Sequence, residues 1–384
     1  MSVVRFELMK IKVPLMRGIF DYGFHLPSPI QAQAIPRIIK HKSILAQAQN
    51  GTGKTAAFLI GCLERIVPES KTTQVLIVSP TRELAVQTAH CASLLGHYLN
   101  ISCHAIVGGT EVKQDKKVIS KGVHLVSGTP GRILHFISTG LINPSHVKII
   151  VVDETDEILG KEGMGSQLRR IRQYLPSSIQ DIFFSATLPP DVVELATELC
   201  PDAEHILIPT SSLSMIQVKH FMLDVTLDAY KIDVLVDLFS IVVITQAVIF
   251  VSTRARADWL AKQIARRQLC EFVVVHGGMD QEKRQEATTK FRRGAVRLLI
   301  VTDVWSRGVD VQQVSLVINY DLPDKCETYI HRVGRSGRFK RKGTAVSFVC
   351  DTKEDKSKLK MIEKFYSIKM DELPEDPEEV AKLI

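Results

Sequence analysis

Ala48-Gln49-Asn50-Gly51-Thr52-Gly53-Lys54-Thr55 is the stretch on which the fold turns. It leaves the apolar run Ser43–Ala48 and opens a helical pattern over Thr55–Ile66. A strand that enters a glycine-rich turn and then a helix N-terminus is a phosphate cradle. Gly51 and Gly53 permit the tight turn that aims backbone N–H groups at phosphate oxygens. The spacing puts Lys54 against the β- and γ-phosphates and the Thr55 hydroxyl on Mg²⁺. Ala48 stands where the usual pattern has its first glycine, so the reading rests on Gly53-Lys54-Thr55 and the flanking elements.

Outward from this loop, short β-rich runs alternate with longer helical patterns, the signature of parallel α/β sheets. In the first half the predicted strands are Ser43–Ala48, Val75–Ser79, Ile101–Val107, Val123–Ser127, Lys148–Asp153 and Asp181–Ser185. Several are almost wholly apolar, as expected when helices cover both faces of a sheet. Residues Cys200 to Met215, with Pro201, Pro209 and a Thr-Ser-Ser-Leu-Ser run, read as a connector. A second alternating series follows, with strands near Val218–Leu223, Ala247–Val251, Phe272–His276, Leu298–Thr302, Val314–Tyr320 and Thr344–Cys350. The expected domains are therefore residues 1–205 and 217–384, joined by a linker over 206–216.

The strand at Lys148–Asp153 ends in Asp153-Glu154-Thr155-Asp156. Acidic residues at the C-terminal edge of a parallel strand lie where such sheets bind ligands. Asp153 is the candidate to hold Mg²⁺ through water, and Glu154 the candidate to orient and polarise an attacking water.

Composition bounds the rest. A chain of 384 residues is long for one core. Its net charge of +7 suits a polyanionic partner without requiring one. The seven cysteines show no C-x-x-C spacing and read as reduced thiols of a cytosolic or nuclear protein. Arg5, Glu7, Lys10, Lys12 and Arg17 interrupt the N-terminus, which excludes a signal peptide. The most apolar stretch, Leu238 to Val251, is too short to span a bilayer.

With the two phosphate-handling motifs in place, the chain resembles a DEAD-box RNA helicase of superfamily 2 from Phe6 to about Tyr366. Gly23-Phe24 and Ser28-Pro29-Ile30-Gln31 resemble the family's adenine-reading motif, with Phe6 seventeen residues upstream of Gly23 as the stacking aromatic. The resemblance implies that Gln31 hydrogen-bonds adenine and that ATP is the nucleotide. Pro80-Thr81-Arg82, Gly108-Gly109 and Thr129-Pro130-Gly131-Arg132 match the first-half RNA contacts; Ser185-Ala186-Thr187 matches the motif whose hydroxyls bond Asp156. In the second half Thr253-Arg254, Gln281 with Arg284, and Thr302 fall at further RNA contacts, and Asp310 at the ribose contact. His331-Arg332-Val333-Gly334-Arg335-Ser336-Gly337-Arg338 resembles the motif in which His331 couples the two sites and Arg335 and Arg338 are arginine fingers, reaching the γ-phosphate when the lobes close.

The implied fold is two tandem RecA-like parallel-sheet domains joined by a short linker. The implied activity is ATP- and Mg²⁺-dependent RNA clamping with local duplex unwinding; an ATP-gated clamp with suppressed turnover uses the same residues. RNA contacts go to sugar and phosphate and are sequence-tolerant. Ile244–Phe250 and Asp310–Pro323 resemble the initiation factor 4A subfamily, and Asp303-Val304-Trp305 leans toward its nuclear exon-junction and ribosome-biogenesis relatives; Asn50 and Phe24–Gln31 echo the messenger-decay branch. That subfamily implies translation initiation or ribosomal RNA processing, a nuclear, nucleolar or cytoplasmic monomer, and a helical-repeat scaffold partner. Two residues depart from the pattern: Thr155 stands where the family has Ala, and Lys340 where the closest branch usually has Gly.

Overall fold

Nearly continuous apolar runs become strands buried on both faces. In the computed structural model, which describes residues 5–49, 51–160, 162–208, 218–242, 244–303, 314–334, 343–366 and 368–384, the chain divides into two units, Met1–Thr210 and Ser211–Ile384. The first holds β1 (Ile44–Gln47), β2 (Val75–Val78), β3 (Cys103–Ile106), β4 (Leu125–Gly128), β5 (Ile149–Asp153), β6 (Gln180–Ser185) and β7 (Glu204–Leu207). All are parallel, in the order β3-β4-β2-β5-β6-β1-β7. The period of two deals their side chains to two separate cores. Ala46, Ile77, Val151 and Phe184 enter one; Leu45, Leu76, Val152 and Phe183 enter the other.

The second unit repeats the plan with β8 (Val218–Thr226), β9 (Ala247–Phe250), β10 (Phe272–Val275), β11 (Leu298–Val301), β12 (Leu316–Asn319), β13 (Gly343–Cys350) and β14 (Asp371–Glu372), in the order β10-β11-β9-β12-β13-β8-β14. Ile249, Ile300 and Ile318 face one core and Phe250, Val301 and Val317 the other. Each fully buried side chain of this size contributes roughly 1.5–3 kcal/mol of transfer free energy. Both sheets are therefore largely apolar inside, and the acids of the first sheet stand where β5 ends.

Two strands were not anticipated. β7 lies inside the stretch read as a connector and runs two residues into the expected linker, pairing in parallel with β1. Only Ile206 of its four residues is buried, so it lacks the apolar run that marks the other strands. β14 is two exposed residues at the corresponding position of the second sheet, an edge beside β8. All seven cysteines are free. No helix among the described residues is long and apolar enough to cross a membrane.

Candidate functional site

The strand order of the first unit sorts its loops. At the C-terminal edge, β1, β6 and β5 stand side by side, so the loops after Gln47, Ser185 and Asp153 converge. The glycine-rich turn leads into a helix, Lys54–Arg65, that is buried along nearly its whole length. Gly51 and Gly53 have φ of 78° and 90°, the left-handed region that an L side chain resists. A Cβ on Gly53 would also lie 2.4 Å from Gln31 Nε2. That contact is a strut: the Gln31 amide donates to Gly53 O at 3.3 Å and accepts from Ser28 N at 2.9 Å. Gln31 thereby closes the capping box of helix Pro29–Ile39 and ties it to the turn. Ala48 is anchored by donating to Ser185 O, and the Thr52 hydroxyl donates to Gln49 O. Asn50 lies outside the described residues.

Lys54 and Glu154 are both nearly buried, with Nζ 3.9 Å from Oε2. Glu154 sits at φ 50°, ψ 56°, a left-handed conformation that costs a non-glycine residue on the order of 1 kcal/mol or more. It aims the carboxylate back at the lysine. Asp153 Oδ1 accepts the Glu154 N–H at 3.0 Å. The departure from the family pattern explains part of the turn's rigidity. The buried Thr155 hydroxyl lies 3.0 Å from Val152 O and 3.1 Å from Phe184 O, spanning the ends of β5 and β6. The extra hydroxyl points into the sheet and away from the acids. Thr155→Val keeps the shape and removes this bond, so it is expected to cost about 1 kcal/mol and lower the melting temperature by a few degrees, with Thr155→Ser close to wild type. Equal melting of all three proteins would show the hydroxyl to be idle.

Asp156 joins the same edge. Thr187 Oγ1 donates to Asp156 Oδ2 at 2.6 Å, and Ser185 Oγ accepts the Asp156 N–H at 3.4 Å. The electrostatics favour a cation here. Burial, then the neighbouring Glu154 charge, push the Asp153 carboxyl up to about 7, with Lys54 opposing. Glu154 Oε2 is buried and finds no hydrogen-bond partner among the described residues. Asp153, Glu154 and Asp156 against one Lys54 are a donor set that suits a hard divalent cation with oxygen ligands.

The other half of the edge is formed by β2, β4 and β3. Pro80 and Thr81 leave β2, and Thr81 caps helix Arg82–Leu95 by accepting from Leu84 N. Arg82 lies over Gly108, where a Cβ would stand 3.1 Å from its Nη2. Gly109 is left-handed at φ 90°. Thr129 precedes helix Pro130–Ser138. So residues scattered from Pro80 to Arg132 meet on one side of β5, and the phosphate-handling residues on the other.

Two first-unit residues are placed differently from expectation. Arg132 is turned inward, its side chain 12% exposed and its Nη2 bonded to Asp115 Oδ2 and Thr110 O. Phe6 has no exposed surface; it is part of the core that includes Ile30 and Ile35, so its ring presents no open face to a base. Phe24 is partly buried against the same core and lies 5.1 Å from the Tyr22 ring.

In the second unit, Thr253 caps helix Arg254–Arg266 by accepting from Arg256 N, and Arg254 is exposed beside Gly278. Gln281 and Arg284 lie in the first turn of helix Gln281–Arg292. Thr302 is buried at the end of β11, and its hydroxyl finds no partner among the described residues. His331 is fully buried in helix Cys326–Val333. Asp310, Arg335, Arg338 and Lys340 lie outside the described residues. Sequence reasoning gave no role to Arg332, yet it is 1% exposed and forks onto Asp303 at 2.6 and 2.9 Å. In a string with three arginines, nothing in the residue type marks which one is buried.

Fold and site together define a phosphate-loop nucleotide-binding protein of two parallel α/β units. Residues 28–195 match the model of the DEAD/DEAH box helicase family, and residues 230–340 match that of the helicase conserved C-terminal domain. The chain is 47% identical to the ATP-dependent RNA helicase FAL1 of Kluyveromyces lactis over 377 residues, 98% of this chain and 94% of that protein. It is likewise 47% identical to FAL1 of Candida albicans over 369 residues, covering 96% and 92%. The solved structure of S. cerevisiae Dbp5 bound to RNA and ADP BeF3 superposes with a TM-score of 0.93 at 34% identity, over 99% of this chain and 98% of that one. The chain belongs to the DEAD-box family of helicases, and its two sheets are the RecA-like domains of that family.

Proposed function

We propose that the protein is an ATP-dependent RNA helicase in which ATP binding and hydrolysis drive RNA clamping and local duplex opening. The observation that carries this is the division of one sheet edge into a phosphate half at β1, β6 and β5 and a loop half at β2, β4 and β3. In this reading the backbone of Ala48 to Gly53 and the Lys54 ammonium bind the triphosphate. Glu154 holds and polarises the attacking water. Thr55 and Asp153 would hold Mg²⁺, which supplies charge neutralisation on the phosphates. Arg335 and Arg338 neutralise the transferred phosphoryl group and Asp310 takes the ribose. Thr81, Arg82, Gly108, Gly109, Thr129, Thr253, Arg254, Gln281, Arg284 and Thr302 supply sugar-phosphate contacts to RNA. Asp156, Ser185, Thr187 and His331 link the nucleotide to that surface. Gln31 acts on the nucleotide through the glycine turn it braces, and Phe6 serves adenine only after its ring leaves the core.

The similarity to FAL1 and to Dbp5, whose solved structure holds RNA and ADP BeF3, supports this reading. The pathway we favour, translation initiation or ribosomal RNA processing in nucleolus or cytoplasm with a helical-repeat scaffold as partner, rests on the subfamily resemblance. Steady-state ATPase measured with and without RNA tests the activity: stimulation is expected, and RNA-independent turnover would overturn it. RNA crosslinked in cells tests the pathway, with messenger leaders and precursor ribosomal RNA as its two arms.

A further inference from the structure

Asp115 has no part in the chemistry derived above, yet it is 4% exposed and both of its carboxylate oxygens have partners. It lies in helix Val112–Ile119, between the loop after β3 and the helix after β4. Its Oδ1 is 3.0 Å from His104 Nε2. Its Oδ2 accepts from Thr110 Oγ1 at 2.9 Å and from Arg132 Nη2 at 2.9 Å. Arg132 Nη2 also reaches Thr110 O at 2.8 Å and Thr110 Oγ1 at 3.2 Å, and its guanidinium lies 5.0 Å from the Phe136 ring. Thr110 in turn approaches Val107 O at 2.8 Å, which brackets Gly108 and Gly109.

A guanidinium held this way is poorly placed to serve as a solvent-facing phosphate contact. We propose that Asp115 and Arg132 are positioning residues: their buried ion pair clamps the Val107–Thr110 turn so that Gly108 and Gly109 present their backbone to an RNA phosphate. Glycine is needed there because Gly109 is left-handed and Arg82 lies against Gly108; two residues without side chains are held through Thr110, which the ion pair fixes in turn. A buried pair of this kind is strongly felt when one member is removed, because the other is left uncompensated. The inference rests on the RNA-binding reading and adds how one of its contacts is shaped.

The test is a double-mutant cycle on the full chain, with Asp115→Asn, Arg132→Gln and both together. RNA affinity is read with a labelled oligouridine and a non-hydrolysable ATP analogue across a salt series, and analogue affinity is read separately. Each single variant is expected to weaken RNA about 10-fold and the double variant by no more than about 20-fold, because both remove one clamp. The salt slope should stay at its wild-type value in each, and Asp115→Asn should bind the analogue as wild type does. Multiplying effects would overturn the clamp, as would an Arg132→Gln slope lower by ~0.7 with Asp115→Asn unaltered, which marks direct phosphate contact. If Asp115→Asn does not fold, Thr110→Val takes its place in the cycle with the same criteria. Wild-type chain that binds no RNA would overturn the functional reading itself, whereas RNA binding indifferent to all the variants overturns only the clamp.

Discussion

Glu154→Gln is expected to lower RNA-stimulated ATP hydrolysis by roughly 10²–10⁴-fold while leaving ATP and RNA affinity within several-fold of wild type. The substitution removes a general base and almost no volume. Glu154 is locked by its surroundings: its left-handed backbone follows Asp153, whose carboxylate takes the Glu154 N–H, and precedes Thr155, whose hydroxyl spans the ends of β5 and β6. Those bonds do not involve the Glu154 side chain, so glutamine inherits the backbone pose and loses only the ion pair with Lys54. The Glu154 charge is one cause of the raised Asp153 carboxyl, and neutralising it lets Asp153 ionise more readily. The variant should therefore load nucleotide and hold RNA without resetting. Single-turnover hydrolysis and RNA dissociation, each measured with ATP at saturating RNA, check this. RNA release at the wild-type rate would remove Glu154 from the role of base.

What could be read from the sequence was whatever periodicity or a local string encodes. The twelve strands predicted from β-rich runs all exist, and the plainest are those covered on both faces and apolar throughout, as Ile149–Val152 and Leu298–Val301 are. β7 and β14 escaped because neither carries such a run: β7 buries one residue of four and β14 is two exposed residues. The lysine of the glycine-rich turn and the acid just after β5 could be paired across a hundred residues because each motif has its own signature at a strand end, and parallel sheets bring strand ends together. Orientation was not legible. Whether an arginine points to solvent depends on partners such as Asp115 for Arg132, which come from another element and leave no mark at that position. The same limit applies to Phe6, which the family resemblance made the stacking partner for adenine and whose ring is packed in the core.

Asp303→Ala is expected to destabilise the second unit by about 3 kcal/mol, the low end of what breaking a buried ion pair costs. Arg332 is the reason. Its guanidinium is almost wholly inaccessible, and it lies 5.2 Å from the Phe250 ring. It meets Asp303 with Nε and Nη2, while Nη1 reaches Asp321 O at 2.7 Å and Asn319 Oδ1 at 3.3 Å. The last two partners are neutral groups, so Asp303 supplies the counter-charge nearest the guanidinium. An arginine cannot shed its proton to escape. The Asp303 side chain is 44% exposed, so water entering the vacated space limits the loss and sets the low end of the range. For a unit of this size the melting temperature should fall by roughly 6–12 °C. The decisive comparison is Asp303→Ala with Arg332→Met, which removes the stranded charge and fills its space with an apolar side chain. Buried pairs replaced by hydrophobic residues are often neutral in stability, so the double variant should melt above Asp303→Ala alone. Helix Cys326–Val333 would then keep its fold while losing its tie to the end of β11, where Thr302 sits. RNA-stimulated turnover should stay low in both variants, since that tie joins the motif of Thr302 to the motif of His331. Full turnover in the restabilised protein would show that Arg332 serves stability alone.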